Sequence, residues 1–118
     1  MSIVRTVLAR VFVDDLEAAL PTYRTLAGDE AEPKLFDFRD VRLARVGPFL
    51  LLQVPADRRA DYERAATLLV DDMPAAVEAV VAYGGEVLEG PSPAPNGARM
   101  IARHGDGTVF EYIAAAAD

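Results

Sequence analysis

Few side chains in this chain could do chemistry. There is no cysteine, which excludes disulfides, thiolate zinc sites and thiol nucleophiles, and one histidine, His104, is the whole imidazole supply. Ser2 and Ser92 lie in unpromising segments, so no serine–histidine nucleophile emerges. Glu111 is the best catalytic candidate. It alternates with Val109 and Ile113, and an ionised carboxylate on so apolar a face is costly unless it is paired. Such a group either orients a polar or cationic ligand or acts as a general base; equally, it is held in an ion pair with Arg10 or another arginine. His104 stands beside Gly105-Asp106-Gly107, a place that favours an exposed or turn-stabilising ring, and Asp106 is better explained by turn chemistry than by metal binding. Asp14-Asp15 and Asp71-Asp72 look like paired carboxylates, yet each pair precedes a helix, where capping is the stronger explanation. No glycine-rich phosphate cradle opens a helix, so nucleotide binding has no support.

The elements that must position these residues come from an internal repeat. Val13-Asp14-Asp15-Leu16-Glu17-Ala18-Ala19-Leu20 recurs 57 residues later as Val70-Asp71-Asp72-Met73-Pro74-Ala75-Ala76-Val77, and the same offset carries Gly28 onto Gly85. Each copy opens with a strand. Val7, Ala9, Val11 and Val13 point one way and Leu8, Arg10 and Phe12 the other; the mate of this strand is about residues 65–70. Asp15 and Asp72 then cap helices, about 16–27 and 73–83, with apolar stripes Leu16, Ala19, Leu20, Tyr23, Ala27 and Met73, Ala76, Val77, Val80. Gly28 and Gly84-Gly85 stop them. Short strands follow, near 34–38, 41–46 and 49–54 in the first copy and 86–89, 98–103 and 108–114 in the second. Residues 90–97, with three prolines, read as a mobile loop or a plain surface connection. The expectation is a single α+β domain over 1–118, built of two tandem βαβββ modules (1–54 and 64–118) joined by a polar linker, 55–63.

Bulk properties narrow the partners. With 52% hydrophobic and 26% charged residues the chain can support a core and is not of disordered composition. A formal net charge of −7 without a basic cluster argues against nucleic acid and sits more easily with a cationic or neutral ligand. No apolar run approaches the roughly 20 residues of a membrane span, so no membrane partner is expected and a cytoplasmic location is taken by default.

Two βαβββ modules, the junctions Val13-Asp14-Asp15-Leu16 and Val70-Asp71-Asp72-Met73, the step Gly84-Gly85-Glu86-Val87 and the closing Arg103-His104-Gly105-Asp106-Gly107-Thr108-Val109-Phe110-Glu111-Tyr112 resemble the vicinal-oxygen-chelate proteins: glyoxalases, bleomycin-resistance proteins and extradiol dioxygenases. That resemblance implies a cupped mixed sheet with helices on its outer face, a homodimer, and a metal at the base of the cup. The metal ligands would come from one position on the first and one on the last strand of each module. These positions fall on Leu8, Ala65, Glu111 and either Leu52 or Gln53. Leu8 and Ala65 offer no donor, so only Glu111 and Gln53 remain, too few for a site that ordinarily keeps three protein ligands. The expectation is therefore a metal-free, cofactor-free protein that sequesters a small molecule in an apolar cavity lined by Leu8, Arg10, Phe12, Gln53, Leu69, Val109, Glu111 and Ile113. The alternatives are a metal-dependent glyoxalase-like lyase, isomerase or dioxygenase using Glu111 and Gln53, and a structural or regulatory dimerisation module.

Overall fold

The computed structural model describes residues 2–28, 30–94 and 97–115. In chain order the elements are β1 (Val4–Val13), α1 (Leu16–Ala27), β2 (Lys34–Phe38), β3 (Val41–Val46), β4 (Phe49–Gln53), a short 3-10 helix (Ala56–Tyr62), β5 (Thr67–Val70), α2 (Met73–Ala82), β6 (Glu86–Ala94), β7 (Gly97–Arg103) and β8 (Val109–Ala115). The order βαβββ thus occurs twice in an α+β chain. By backbone contacts the chain groups into two units, residues 8–63 and the residues from Arg64 onward together with those before Leu8. The N-terminal residues fall in the second unit because Val4 packs in its core. No helix among the described residues is long and apolar enough to cross a membrane.

In the first unit β1 and β4 run parallel, with Phe12 opposite Leu52, while β3 pairs antiparallel with both β4 and β2. Asp15 starts α1 as its position before an apolar stripe predicts: its Oδ1 accepts the Ala18 amide at 3.2 Å. The stripe Leu16, Ala19, Leu20, Tyr23 and Ala27 then packs on Val13, Ala44, Val46 and Leu51. Tyr23 meets Phe49 edge to face, with ring centres 5.0 Å apart. The segment expected as a linker is the 3-10 helix and belongs to this unit. Arginines fix it: Arg59 Nε donates to the Val54 carbonyl at 2.9 Å, Arg59 Nη2 to Asp14 at 2.6 Å, and Arg10 Nη2 to the Tyr62 carbonyl at 2.7 Å.

The second unit repeats the plan. β5 and β8 run parallel, with Thr67 opposite Glu111, and β7 pairs antiparallel with β8 and β6. Asp72 Oδ1 accepts the Ala75 amide at 3.0 Å, and Pro74 sits in the first turn, where its missing donor costs nothing. Met73, Ala76 and Val80 bury against Leu68, Val70, Met100, Ala102 and Tyr112. The helix ends in a double bond pattern, Gly85 N to Val80 O at 2.8 Å and Gly84 N to Val81 O at 3.2 Å. This pattern needs Gly84 at φ 88°, a conformation side chains resist.

One expectation is corrected here. Residues 90–94 are not a loop: β6 continues through Pro91 and Pro93 to Ala94. The prolines are tolerated because β6 is the last strand in the sheet order and, among the described residues, pairs only with β7, and its register shifts between Val87 and Ser92 absorb the missing donors. Pro95 and Asn96, the rest of that stretch, lie outside the described residues.

Candidate functional site

Each sheet has one face under its helix and one face without. In the second unit Leu68 and Val70 of β5, Met100 and Ala102 of β7 and Phe110 and Tyr112 of β8 take the helix side. The period of two puts Thr67, Leu69, Arg99, Ile101, Val109, Glu111 and Ile113 on the other. Four of the residues expected to line a cavity, Leu69, Val109, Glu111 and Ile113, therefore share the helix-free face.

Glu111 is tied down on that face. Its side chain is 12% exposed, Oε1 accepts from Thr67 Oγ1 at 2.8 Å, and Oε2 lies 3.4 Å from Arg99 Nε. Arg99, only 7% exposed, also donates through Nη1 to Glu89 Oε1 at 2.8 Å. One guanidinium thus spans two carboxylates in a setting where a bare charge would cost several kcal/mol, of the order that breaking such a pair costs. Thr67 is itself buried. Alternation along the last strand points to Glu111 but not to Arg99 and Thr67. A signal for Arg99 exists: it shares the period-two face of Ile101 in a strand whose one other charged residue, Arg103, stands at its end, and an arginine inside such a strand must be paired.

In the first unit Val11 and Val13 face α1. Leu8, Arg10 and Phe12 accordingly occupy the helix-free face, with Leu50 and Leu52 of β4 opposite Arg10 and Phe12. Leu8 and Leu52 are buried, and the Arg59 guanidinium lies 5.7 Å from the centre of the Phe12 ring. Gln53 is on the opposite side. Its Oε1 accepts the Leu16 amide at 2.8 Å, satisfying a first-turn donor of α1. Gln53 therefore serves the helix, beside Asp15, instead of the face that carries Leu8.

The registers also settle which first-module residue matches Glu111. Thr67 lies opposite Glu111; the 57-residue offset of the repeat carries Thr67 to Arg10, which lies opposite Leu50. Leu50 is the counterpart, in place of Leu52 or Gln53. Counting along the sequence slips here because the two-residue turn Gly47-Pro48 is shorter than the turn through His104 to Thr108 that precedes β8. By the same registers Arg99 corresponds to Leu43 and Leu69 to Phe12.

A divalent metal does not fit these residues. Leu8, Leu50 and Ala65 have no donor, the Gln53 carbonyl oxygen is engaged with α1, and both Glu111 oxygens face Thr67 or the Arg99 guanidinium. Among the described residues no three His, Cys, Asp or Glu side chains group closely enough to hold an ion.

His104 has a role beyond its turn. Its backbone closes the turn, amide to Thr108 O at 2.8 Å, and Asp106 Oδ1 accepts the Thr108 amide at 2.9 Å. That amide, with the Thr108 side chain, holds the Asp106 carboxyl below the usual range. The imidazole, however, is half-buried on the helix side. It stacks on Phe110 with ring centres 4.6 Å apart, and Nε2 is hydrogen-bonded to the Tyr112 hydroxyl. Burial pushes the Tyr112 hydroxyl above its usual pKa, so it stays protonated at neutral pH.

Fold and site together define a protein of the vicinal-oxygen-chelate fold whose helix-free faces carry, among the described residues, no metal ligand set. No protein-family model matches the sequence, and no curated protein matches it. Among solved structures the chain resembles a hypothetical protein from Methanosarcina mazei, with 30% identity over 98% of this chain and 95% of that one and a TM-score of 0.88. The chain belongs to the family of that protein. Methylmalonyl-CoA epimerases share the fold: that of Mycobacterium tuberculosis at 15% identity, covering 99% of this chain and 92% of its own, TM-score 0.65; and a point variant of the Streptomyces coelicolor epimerase in complex with 2-nitronate-propionyl-CoA at 19% identity, covering 98% and 97%, TM-score 0.66.

Proposed function

We propose that this protein binds a small organic molecule on the helix-free faces of its sheets without a metal, in the manner of the bleomycin-resistance proteins that its modules resemble. The observation that carries the reading is the Thr67–Glu111–Arg99–Glu89 cluster set beside Leu69, Ile101 and Ile113. Ligand sites are mostly apolar with a few fixed polar groups, and here a threonine and an arginine hold one carboxylate in a single orientation on a greasy wall. A predominantly apolar ligand with a cationic or hydrogen-bond-donating group suits it, in keeping with the acidic net charge of −7. The reading carries a homodimer with it: sedimentation at micromolar concentration should give twice 12.7 kDa.

The test is a thermal-shift screen against amphipathic cations, neutral analogues and carboxylates. A ligand of the first two classes should raise the melting temperature, and Glu111→Gln should remove most of that rise while the protein still unfolds cooperatively. A screen in which only carboxylates stabilise, or in which Glu111→Gln changes nothing, ends the proposal.

A second reading, proton transfer on a bound substrate, draws on the same carboxylate and on the epimerase fold of the neighbours. It requires turnover of a carbon acid that disappears in Glu111→Gln, and solvent deuterium exchange into that substrate is the measurement.

A further inference from the structure

A groove of about 190 Å³ lies on the helix side of the second unit, apart from the face that carries Glu111. It is lined by Ala79, Val80, Tyr83, His104, Gly105 and Tyr112. Its walls are aromatic, and Tyr83, the residue that ends α2, is 86% exposed with its ring against no core. Its floor is the C-terminal end of α2, where backbone carbonyls concentrate partial negative charge. A helix end of this kind ordinarily takes a basic residue. α1 has Arg24 in its last turn, whereas α2 has none. Gly105 lets the turn lie close against that end of the helix: a Cβ there would stand 2.6 Å from the Tyr83 carbonyl oxygen.

The charged groups around the groove lean the same way. Arg103, the nearest cation in sequence, is bound by Glu86 on β6. The Tyr112 hydroxyl is hydrogen-bonded to His104 Nε2, which fixes the imidazole ring as a wall of the groove.

We propose that this groove is a binding site for a small alkylated ammonium group, held by the rings of Tyr83 and His104 and by the carbonyl end of α2. Aromatic faces and carbonyl dipoles recognise such cations through charge without needing a hydrogen bond. The volume is below the 300 Å³ or so at which drug-sized pockets begin, so it suits a headgroup.

The probe is choline, set against 3,3-dimethylbutan-1-ol, its neutral isostere, in amide-resolved NMR titrations of the whole chain. Choline should move the amides of Ala79, Val80, Tyr83 and Gly105 saturably, with the alcohol at least about tenfold weaker. Tyr83→Leu, a change at an exposed position that keeps apolar bulk and removes the ring, should weaken choline about fivefold. His104→Gln tests the second wall in the same way. Three outcomes overturn the site: equal binding of alcohol and cation, no saturation, or shifts centred on Thr67 and Glu111 instead. The last would leave the function proposed above intact, and failure of the thermal-shift screen would leave the groove intact.

Discussion

The helix-free face of the second module carries Glu111, Arg99 and Thr67, and the corresponding positions in the first are Leu50, Leu43 and Arg10. The helix side diverges less. Asp15 and Asp72 cap by the same bond, Leu16 and Met73 bury at the same place, and both modules repeat one pairing scheme. The comparison teaches where the two copies were free to differ. A cap and an apolar stripe are demanded by the helix itself, so both modules keep them. The opposite face has only to be satisfied, and it is satisfied once by leucines with Arg10 bonded to the Tyr62 carbonyl, and once by a buried ion cluster.

The largest effect should come from breaking that cluster halfway. Arg99→Leu leaves Glu111 and Glu89 without their shared guanidinium and should cost about 3–5 kcal/mol in urea unfolding. Arg99→Leu combined with Glu111→Leu copies the first module and should return most of the loss, because an apolar pair of similar volume replaces a buried ion pair nearly neutrally. If the double variant is no better than the single one, the two faces are not equivalent solutions. The helices offer the next test. Pro21 sits inside α1, while the repeat offset puts Glu78 at its place in α2, whose own proline is confined to the first turn. Pro21→Ala should therefore stabilise by about 1–3 kcal/mol and Pro74→Ala by little, since only the first restores a helical hydrogen bond. Similar effects at the two sites would mean that the first helix has relaxed around its proline.

The helix side is legible in the sequence because its signals are local. Aspartate before an apolar stripe and glycine after it give start, face and stop within a dozen residues, so the expected span of α1 coincides with the observed one. The helix-free face depends on register between strands far apart in the chain, and there sequence alone falls short. Glu111 follows from alternation within one strand, but Arg99 and Thr67 come to it only through pairings across 12 and 44 residues. Gln53 differs from a position on the helix-free face by one residue of a strand, which is enough to reverse a side chain. The prolines of β6 read as a loop because composition cannot say which strand will be an edge.

A smaller test concerns how α1 is held. It has two devices at its start, Asp15 on the Ala18 amide and Gln53 on the Leu16 amide, where α2 has the aspartate and, at the position matching Gln53, Ala114. Gln53→Ala should cost about 1 kcal/mol, close to either cap aspartate replaced by alanine. A negligible loss on denaturant titration would make the glutamine bond redundant, and the first helix would then start by the same single device as the second.

The smallest effects are acid-side and differ in origin between the modules. Arg58 holds the Asp40 carboxyl below its usual pKa in the first; the Thr108 amide and side chain do so for Asp106 in the second. Both folded-state values are depressed, so each group adds stability that is complete above the unfolded carboxylate pKa and is lost as pH falls through the folded one. Asp40→Asn and Asp106→Asn should each flatten the decline in unfolding midpoint below about pH 4, the range in which an unperturbed aspartate titrates. Salt separates them. Asp40 draws on an exposed ion pair, so added salt should shrink its share. Asp106 draws on a backbone amide in its own turn, and its share should persist. An acid limb that responds to salt equally in both variants would place both carboxylates under the general field of the protein instead of their named partners.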